Sequence, residues 1–378
     1  MDINTMRKFK LALPSGTTIT GRHSIPTPSP PPSMSSDSER AHRPLIVAFH
    51  GGSFSSAYFD LDETHSAKTL SDALHVPFVA IDREIHLDLS SAGPSSSYQE
   101  EDGKRLHTEI LPAVWKEFGK TQAPGCNWNC NSVVLLAHSM GCVGAIVAAG
   151  LWALDEQQKK MKSGNGGDDE KEEEQHGKPS YPLAGIILSG WASLPMKANP
   201  LLVHAAMTTI TGSTGAGVEE QDKTQVVFVS QPRLDVMLPS WSAPRSAREE
   251  GVKVNLPISG RETKDIYDVW FASPSAGEET EKEDKEETQH GRKNGREWAS
   301  NVTVPVMLAL ASRDELWDGN EGHLKDFAAW FSGSKRVDTS LVVGAPHNLE
   351  MSYWAPGWFA RCFGFAVECA VGYRLSNE

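Results

Sequence analysis

The chain is sparing with cysteine, has no long apolar run, and carries too little positive charge to suit a polyanion. Five cysteines scattered over 378 residues make no disulfide framework. Cys126 and Cys130 stand at C-x3-C spacing. No matching His or Cys pair accompanies them, so no zinc site is read there. Cys142, Cys362 and Cys369 fall in apolar helical patterns and read as core residues. The first ten residues have no apolar h-region, so no signal peptide is read. No stretch reaches the roughly 18 apolar residues of a membrane span. These absences lead to the expectation of an intracellular, reduced, cytoplasmic protein. The net charge of −13 argues against nucleic acid, whose phosphates need a basic surface. Residues 168–174 hold six acids and one lysine, and residues 278–287 hold seven acids and two lysines, so each contributes −5. The remaining −3 leaves the rest of the chain near balance, and the two acidic runs read as solvated loops.

What the chain does have is alternation. Residues 8–13 and 17–21 flank Pro14-Ser15-Gly16 as a hairpin, and 25–43 is a Pro- and Ser-rich loop. Short apolar runs at 45–49, 77–81, 133–137, 183–188, 304–310 and 339–343 read as buried strands. Helices are expected over 58–74, 101–118, 142–154 and 322–331, with a helical region at 351–371. This order predicts an α/β fold: a mostly parallel central sheet with helices on both faces. From 192 to 300 the alternation is lost. A core of 1–191 and 301–378 is therefore expected, with a lid or cap inserted at 192–300 between the sixth and seventh strands. A disordered acidic insert is expected at 162–178.

In such sheets working residues sit beyond the carboxyl ends of strands. The strand at 133–137 ends in Ala137-His138-Ser139-Met140-Gly141, close to the G-x-S-x-G elbow that exposes a serine on a strained strand-to-helix turn. A serine hydroxyl needs a base, and the base needs an orienting carboxylate. His347 follows the last strand and Asp314 the strand before it, giving the chain order Ser139, Asp314, His347. Glu315, Asp318 and, more distantly, Asp235 are rivals for the acid. The oxyanion donors are expected from the amides of Met140 and of Gly52, with Ser53 as alternative to Gly52. His138 reads as a packed residue beside the turn. Trp191, Trp241 and Trp270, with Met207, Met237, Leu238, Tyr267 and Phe271, are aromatic or apolar residues that could line an acyl pocket or simply pack the insert onto the core.

These pieces together resemble the α/β-hydrolase family of esterases, lipases, epoxide hydrolases and dehalogenases. The matching segments are His50-Gly51-Gly52, Ser55-Ser56-Ala57-Tyr58-Phe59, Asp82-Arg83, residues 137–141, Asp314 and His347. The closing residues 346–350 and 357–361 are similar to fungal members. Glu84-Ile85-His86 departs from the Gly-His-Gly of many relatives, and Ala137 replaces the first elbow glycine. Serine at the elbow, where epoxide hydrolases and dehalogenases carry aspartate, points to acyl chemistry. The resemblance implies a serine hydrolase acting on a carboxylic ester, thioester or lactone, with a small-molecule apolar or aromatic acyl substrate and no metal or cofactor. Acyl transfer or C–C hydrolysis on the same triad, and a non-catalytic ligand-binding member, are the alternatives.

Overall fold

The computed structural model describes residues 5–26, 43–83, 96–120, 129–164, 181–193, 207–211, 224–228, 230–253, 255–271 and 293–378. The acidic runs 168–174 and 278–287, Cys126 and Glu84-Ile85-His86 lie outside the described residues, as does 165–178 of the expected acidic insert.

Among the described residues eight strands form one sheet: β1 (Arg7–Ala12), β2 (Thr18–Ser24), β3 (Pro44–Phe49), β4 (Phe78–Ile81), β5 (Ser132–His138), β6 (Leu183–Ser189), β10 (Val306–Ala311) and β11 (Val337–Val342). Their order is β1-β2-β4-β3-β5-β6-β10-β11. Every pairing from β4 to β11 is parallel, and β2 joins β1 and β4 antiparallel. Gly16, at φ 84, closes the β1–β2 turn in the left-handed region that glycine enters freely. Every residue of β3, β4, β5, β6 and β10 is buried. Strands buried on both faces cannot show polar alternation, which explains their continuous Val, Ile, Leu and Ala runs. Helices Gly141–Gly164 and Ala355–Leu375 both pack on β3, β5 and β6. Cys130, Cys142, Cys362 and Cys369 are free and buried in this core.

Three helices differ from expectation, and one of them, expected over 142–154, runs on to Gly164 and so takes in 162–164 of the expected acidic insert. Over 58–74 the chain makes only a 3-10 turn, Ser56–Phe59, and a short helix, Lys68–Leu74. Asp60 accounts for the break. Its buried carboxylate accepts from Met6 N (2.9 Å), Arg22 Nη1 (2.9 Å) and Ser66 Oγ (2.7 Å), which draws residues 60–66 into a loop. Over 101–118 the helix starts earlier, at Tyr98, with the Ser97 hydroxyl capping Glu100 N. It then passes through a π turn, Leu106–Ile110, just before Pro112, whose ring nitrogen cannot donate into the ladder.

Between β6 and β10, the sixth and seventh strands of the main sheet, lies a second, antiparallel sheet of β7 (Met207–Thr211), β8 (Thr224–Phe228) and β9 (Ile258–Ser259). It is accompanied by helices Ser230–Met237, Arg245–Lys253, Gly260–Asp265 and Gly295–Ser300. The insert meets the core at named points. Leu256 N donates to Ser53 O (2.9 Å), and Asn348 N donates to Met237 O (3.0 Å). Tyr98 N donates to Asp265 Oδ2 (2.7 Å), and Arg83 reaches Glu262.

Candidate active site

The strand β5 ends at His138, and the next residue, Ser139, turns the chain into helix Gly141–Gly164. Ser139 has φ 51, a left-handed backbone that costs a non-glycine residue about 1–2 kcal/mol. Its neighbours leave no room for a relaxed turn. A Cβ on Gly141 would lie 2.6 Å from His50 O and 2.7 Å from Phe49 O, and one on Gly51 would lie 2.9 Å from Ser139 Cβ. Ser139 N donates to Ser189 O at 2.8 Å, which pins the turn to the end of β6.

His347 follows β11 and Asp314 follows β10, so the parallel register of these strands delivers both side chains to the same sheet edge as Ser139. His347 Nδ1 lies 2.8 Å from Asp314 Oδ2, and His347 Nε2 lies 3.1 Å from Ser139 Oγ. Beside a carboxylate Nδ1 carries the hydrogen, which leaves Nε2 to accept from the serine hydroxyl. Asp314 is fully buried, and its other oxygen accepts from Leu316 N (2.8 Å) and Trp317 N (3.2 Å). Trp317 Nε1 in turn donates to Gly190 O (2.9 Å). The rivals Glu315, Asp318 and Asp235 are all exposed.

The loop after β3 packs on the same turn. A Cβ on Gly52 would meet Met140 Sδ at 2.4 Å and Ile258 Cγ2 at 3.5 Å. Among the described residues the amides of Gly52 and Met140 donate to no backbone carbonyl. Ser53, the alternative to Gly52, adopts φ 65 and uses its carbonyl to hold Leu256. His50 fixes the loop from within. Its Nδ1 donates to Gly51 O (2.7 Å) and its Nε2 accepts from Arg83 N (3.0 Å). Burial and the nearby Arg83 charge lower the His50 pKa to about 4, so it is neutral at pH 7.

Of the three tryptophans, Trp191 is joined in sequence to the turn beside His347. It follows Gly190, where a Cβ would lie 3.1 Å from His347 Cε1, and its ring meets Trp317 edge-on (5.2 Å) and stacks on Phe271 (5.6 Å). Trp270 is buried against Gly295, and Trp241 is 39% exposed with Arg313 over its ring at 4.1 Å. Among the described residues no group of three or more His, Cys, Asp or Glu could hold a metal ion. No described helix is long and apolar enough to cross a membrane.

Sequence reasoning passed over Glu350. Yet it is a lone acid between Leu349 and Met351 in an aromatic segment, and a charge in that setting is a signal of a buried partner.

The sequence matches no protein-family model and no curated protein. The structure does have relatives. The esterase RhEst1 of a Rhodococcus species superposes with a TM-score of 0.51 at 14% identity, covering 96% of this chain and 98% of that one. An open-form lipase gives 0.49 at 15% identity over 97% and 99%, and the monoacylglycerol lipase of Paleococcus ferrophilus gives 0.46 at 13% over 86% and 96%. At these identities the likeness is one of fold. The chain has the α/β-hydrolase fold, with its central eight strands in the order 1-2-4-3-5-6-7-8 once the insert's own sheet is set aside.

Proposed function

We propose that the protein is a serine hydrolase that cleaves a carboxylic ester, thioester or lactone through an acyl-enzyme on Ser139. The observation that carries this reading is the unbroken chain of contacts Ser139 Oγ, His347 Nε2, His347 Nδ1, Asp314 Oδ2, at 3.1 and 2.8 Å, beyond the carboxyl ends of parallel strands. As the Ser139 oxygen attacks the substrate carbonyl, His347 Nε2 takes the hydroxyl proton and Asp314 stabilises the imidazolium. The oxyanion is held by the amides of Met140 and Gly52, donors that need no reorganisation when the charge develops. The proton on His347 passes to the leaving alcohol, thiol or ring oxygen. Water, deprotonated by the same histidine, then releases the acid and restores Ser139.

The insert at 192–300 is read as a lid over this centre, and Trp191 as the wall of an apolar or aromatic acyl pocket. The contacts of Leu256, Ile258 and Met237 with the loops bearing Ser53, Gly52 and Asn348 support the lid reading.

A fluorophosphonate probe tests the nucleophile. Wild type is expected to be labelled on Ser139 and the Ser139→Ala variant to stay unlabelled. A folded wild type that resists the probe, or a labelled alanine variant, removes the proposal. Nitrophenyl esters of graded chain length then size the pocket.

A further inference from the structure

Behind the triad lies a second set of polar side chains that the acyl mechanism does not use. Glu350, three residues after His347, is fully buried. Its Oε2 lies 2.7 Å from the Tyr58 hydroxyl, and its Oε1 lies 2.8 Å from both Ser189 Oγ and Trp358 Nε1. Ser189 Oγ is also 3.0 Å from His138 Nδ1, which itself lies 3.5 Å from Glu350 Oε2. His138 Nε2 lies 3.2 Å from Asn348 Oδ1, and its ring is stacked on Tyr58 and stands 4.9 Å from the His347 ring. Ser189 thus does two things: its carbonyl holds the amide of Ser139 and its hydroxyl joins Glu350 to His138.

The hydrogens in this row can be counted. The Asn348 NH2 is turned to Met351 Sδ (3.9 Å), which sets its oxygen toward His138; that oxygen needs a donor, so His138 Nε2 carries a hydrogen. Ser189 has a single hydrogen; the Ala137 carbonyl is 3.5 Å away, and two nearer groups could both accept it, Glu350 Oε1 and His138 Nδ1. An ionised Glu350 facing a His138 with a bare Nδ1 would leave one of those contacts without a proton. The row therefore needs one more proton, on Glu350 or on His138 Nδ1. Placed on His138 it makes an imidazolium beside His347, which would oppose the positive charge His347 must take up in the reaction.

We propose that Glu350, Ser189 and His138 are a positioning device for the base. Glu350 is un-ionised and donates to Ser189 Oγ, Ser189 donates to His138 Nδ1, and His138 donates through Nε2 to Asn348. The chain ties the segment carrying His347 to the ends of the two strands, β5 and β6, that place Ser139. Burial supports the assignment from both ends, since it raises the Glu350 carboxyl above its ordinary range and, with the facing His347, drives His138 well below its own. The kinetic consequence rests on the serine-hydrolase reading, whereas the protonation pattern does not.

Two experiments test it. In wild type labelled with 15N-histidine, with the His138 signals identified by their loss in His138→Gln, the ring should be neutral with its hydrogen on Nε2 at pH 7. An imidazolium, or a hydrogen on Nδ1, overturns the proposal. Second, Ser189→Ala removes the hydroxyl that joins Glu350 to His138, leaving only the 3.5 Å approach of Glu350 Oε2 to His138 Nδ1, and keeps the Ser189 carbonyl in place. With p-nitrophenyl acetate it is expected to lower kcat by at least about tenfold with KM within about twofold, the pattern of a lost interaction that matters only beyond substrate binding. The acidic limb of its kcat/KM profile should also move, because His138 loses the donor that keeps it neutral beside His347. A folded Ser189→Ala with wild-type kcat and an unmoved profile overturns the proposal. Failure of the wild type to turn over any ester or to react with a fluorophosphonate would sink the hydrolase reading, and the histidine spectrum would still decide the protonation pattern.

Discussion

At the scale of single residues, Asp314 has two tasks on its two oxygens. One accepts the amides of Leu316 and Trp317, and the other faces His347 Nδ1. An asparagine would satisfy the first with its carbonyl and then present its NH2 to His347. Two donors cannot share that contact, so His347 would turn to the tautomer with hydrogen on Nε2 and lose the lone pair aimed at Ser139. Asp314→Asn is expected to keep the fold and lower kcat by up to about 10⁴-fold, the loss seen when this change is made in a Ser-His-Asp site. Circular dichroism checks the first expectation and ester turnover the second; a variant with near-wild-type kcat would return Glu315, Asp318 and Asp235 to contention. That Ser139, Asp314 and His347 would be brought together was legible in the sequence, because a strand end, a turn and the chain order mark each of them. Glu350, Ser189 and Asn348 were not. Their roles come from pairings 161 and 210 positions apart in the chain, between Ser189 and Glu350 and between His138 and Asn348, and no local pattern encodes them.

At the scale of elements, the strand-to-helix turn at 139–141 is held by what it excludes. Gly141 begins a helix, where alanine would ordinarily be the better helix former. Here a Cβ would press on the carbonyls of His50 and Phe49, which are backbone atoms of a buried strand end and cannot rotate away. Gly141→Ala is expected to destabilise the protein by about 1–3 kcal/mol, as overpacking does, and to disturb both the loop carrying Gly52 and the turn carrying Met140. Urea denaturation and ester turnover read the two effects; an unchanged unfolding midpoint would mean that β3 and the helix can separate at no cost. The same tightness explains which elements the sequence revealed. Strands β3 to β6 and β10 are buried on both faces, and their apolar runs could be read directly. The insert's strands could not, because a small sheet such as β7–β9 interrupts the alternation without restoring it. Residues 60–66 were read as helix because their departure from it depends on Asp60 meeting Met6, Arg22 and Ser66 in space.

At the scale of the whole molecule, the question is what fastens the insert to the core. Arg83 follows β4, and its backbone N–H serves His50 while its guanidinium reaches Glu262 on helix Gly260–Asp265 and lies 3.7 Å from Asp102 Oδ2. All three charged groups are largely buried, and burial raises the carboxyl pKa of both Asp102 and Glu262. A buried pair adds little net stability over an apolar one, but removing one partner leaves charge stranded in a poor solvent. Arg83→Met is therefore expected to cost about 3–5 kcal/mol, and adding Glu262→Gln should return part of that loss by removing one stranded charge. The pH dependence has a definite sign. Without Arg83 the two carboxyls titrate higher in the folded than in the unfolded protein, so the folded state binds more protons and stability falls as pH rises. The single variant should lose less relative to wild type at pH 5 than at pH 8, as urea unfolding at the two pH values would show. Equal losses at both, with no recovery in the double variant, would mean that Glu262 does not depend on Arg83 and that the insert is held instead by the backbone of Leu256 and Met237 and the carboxylate of Asp265.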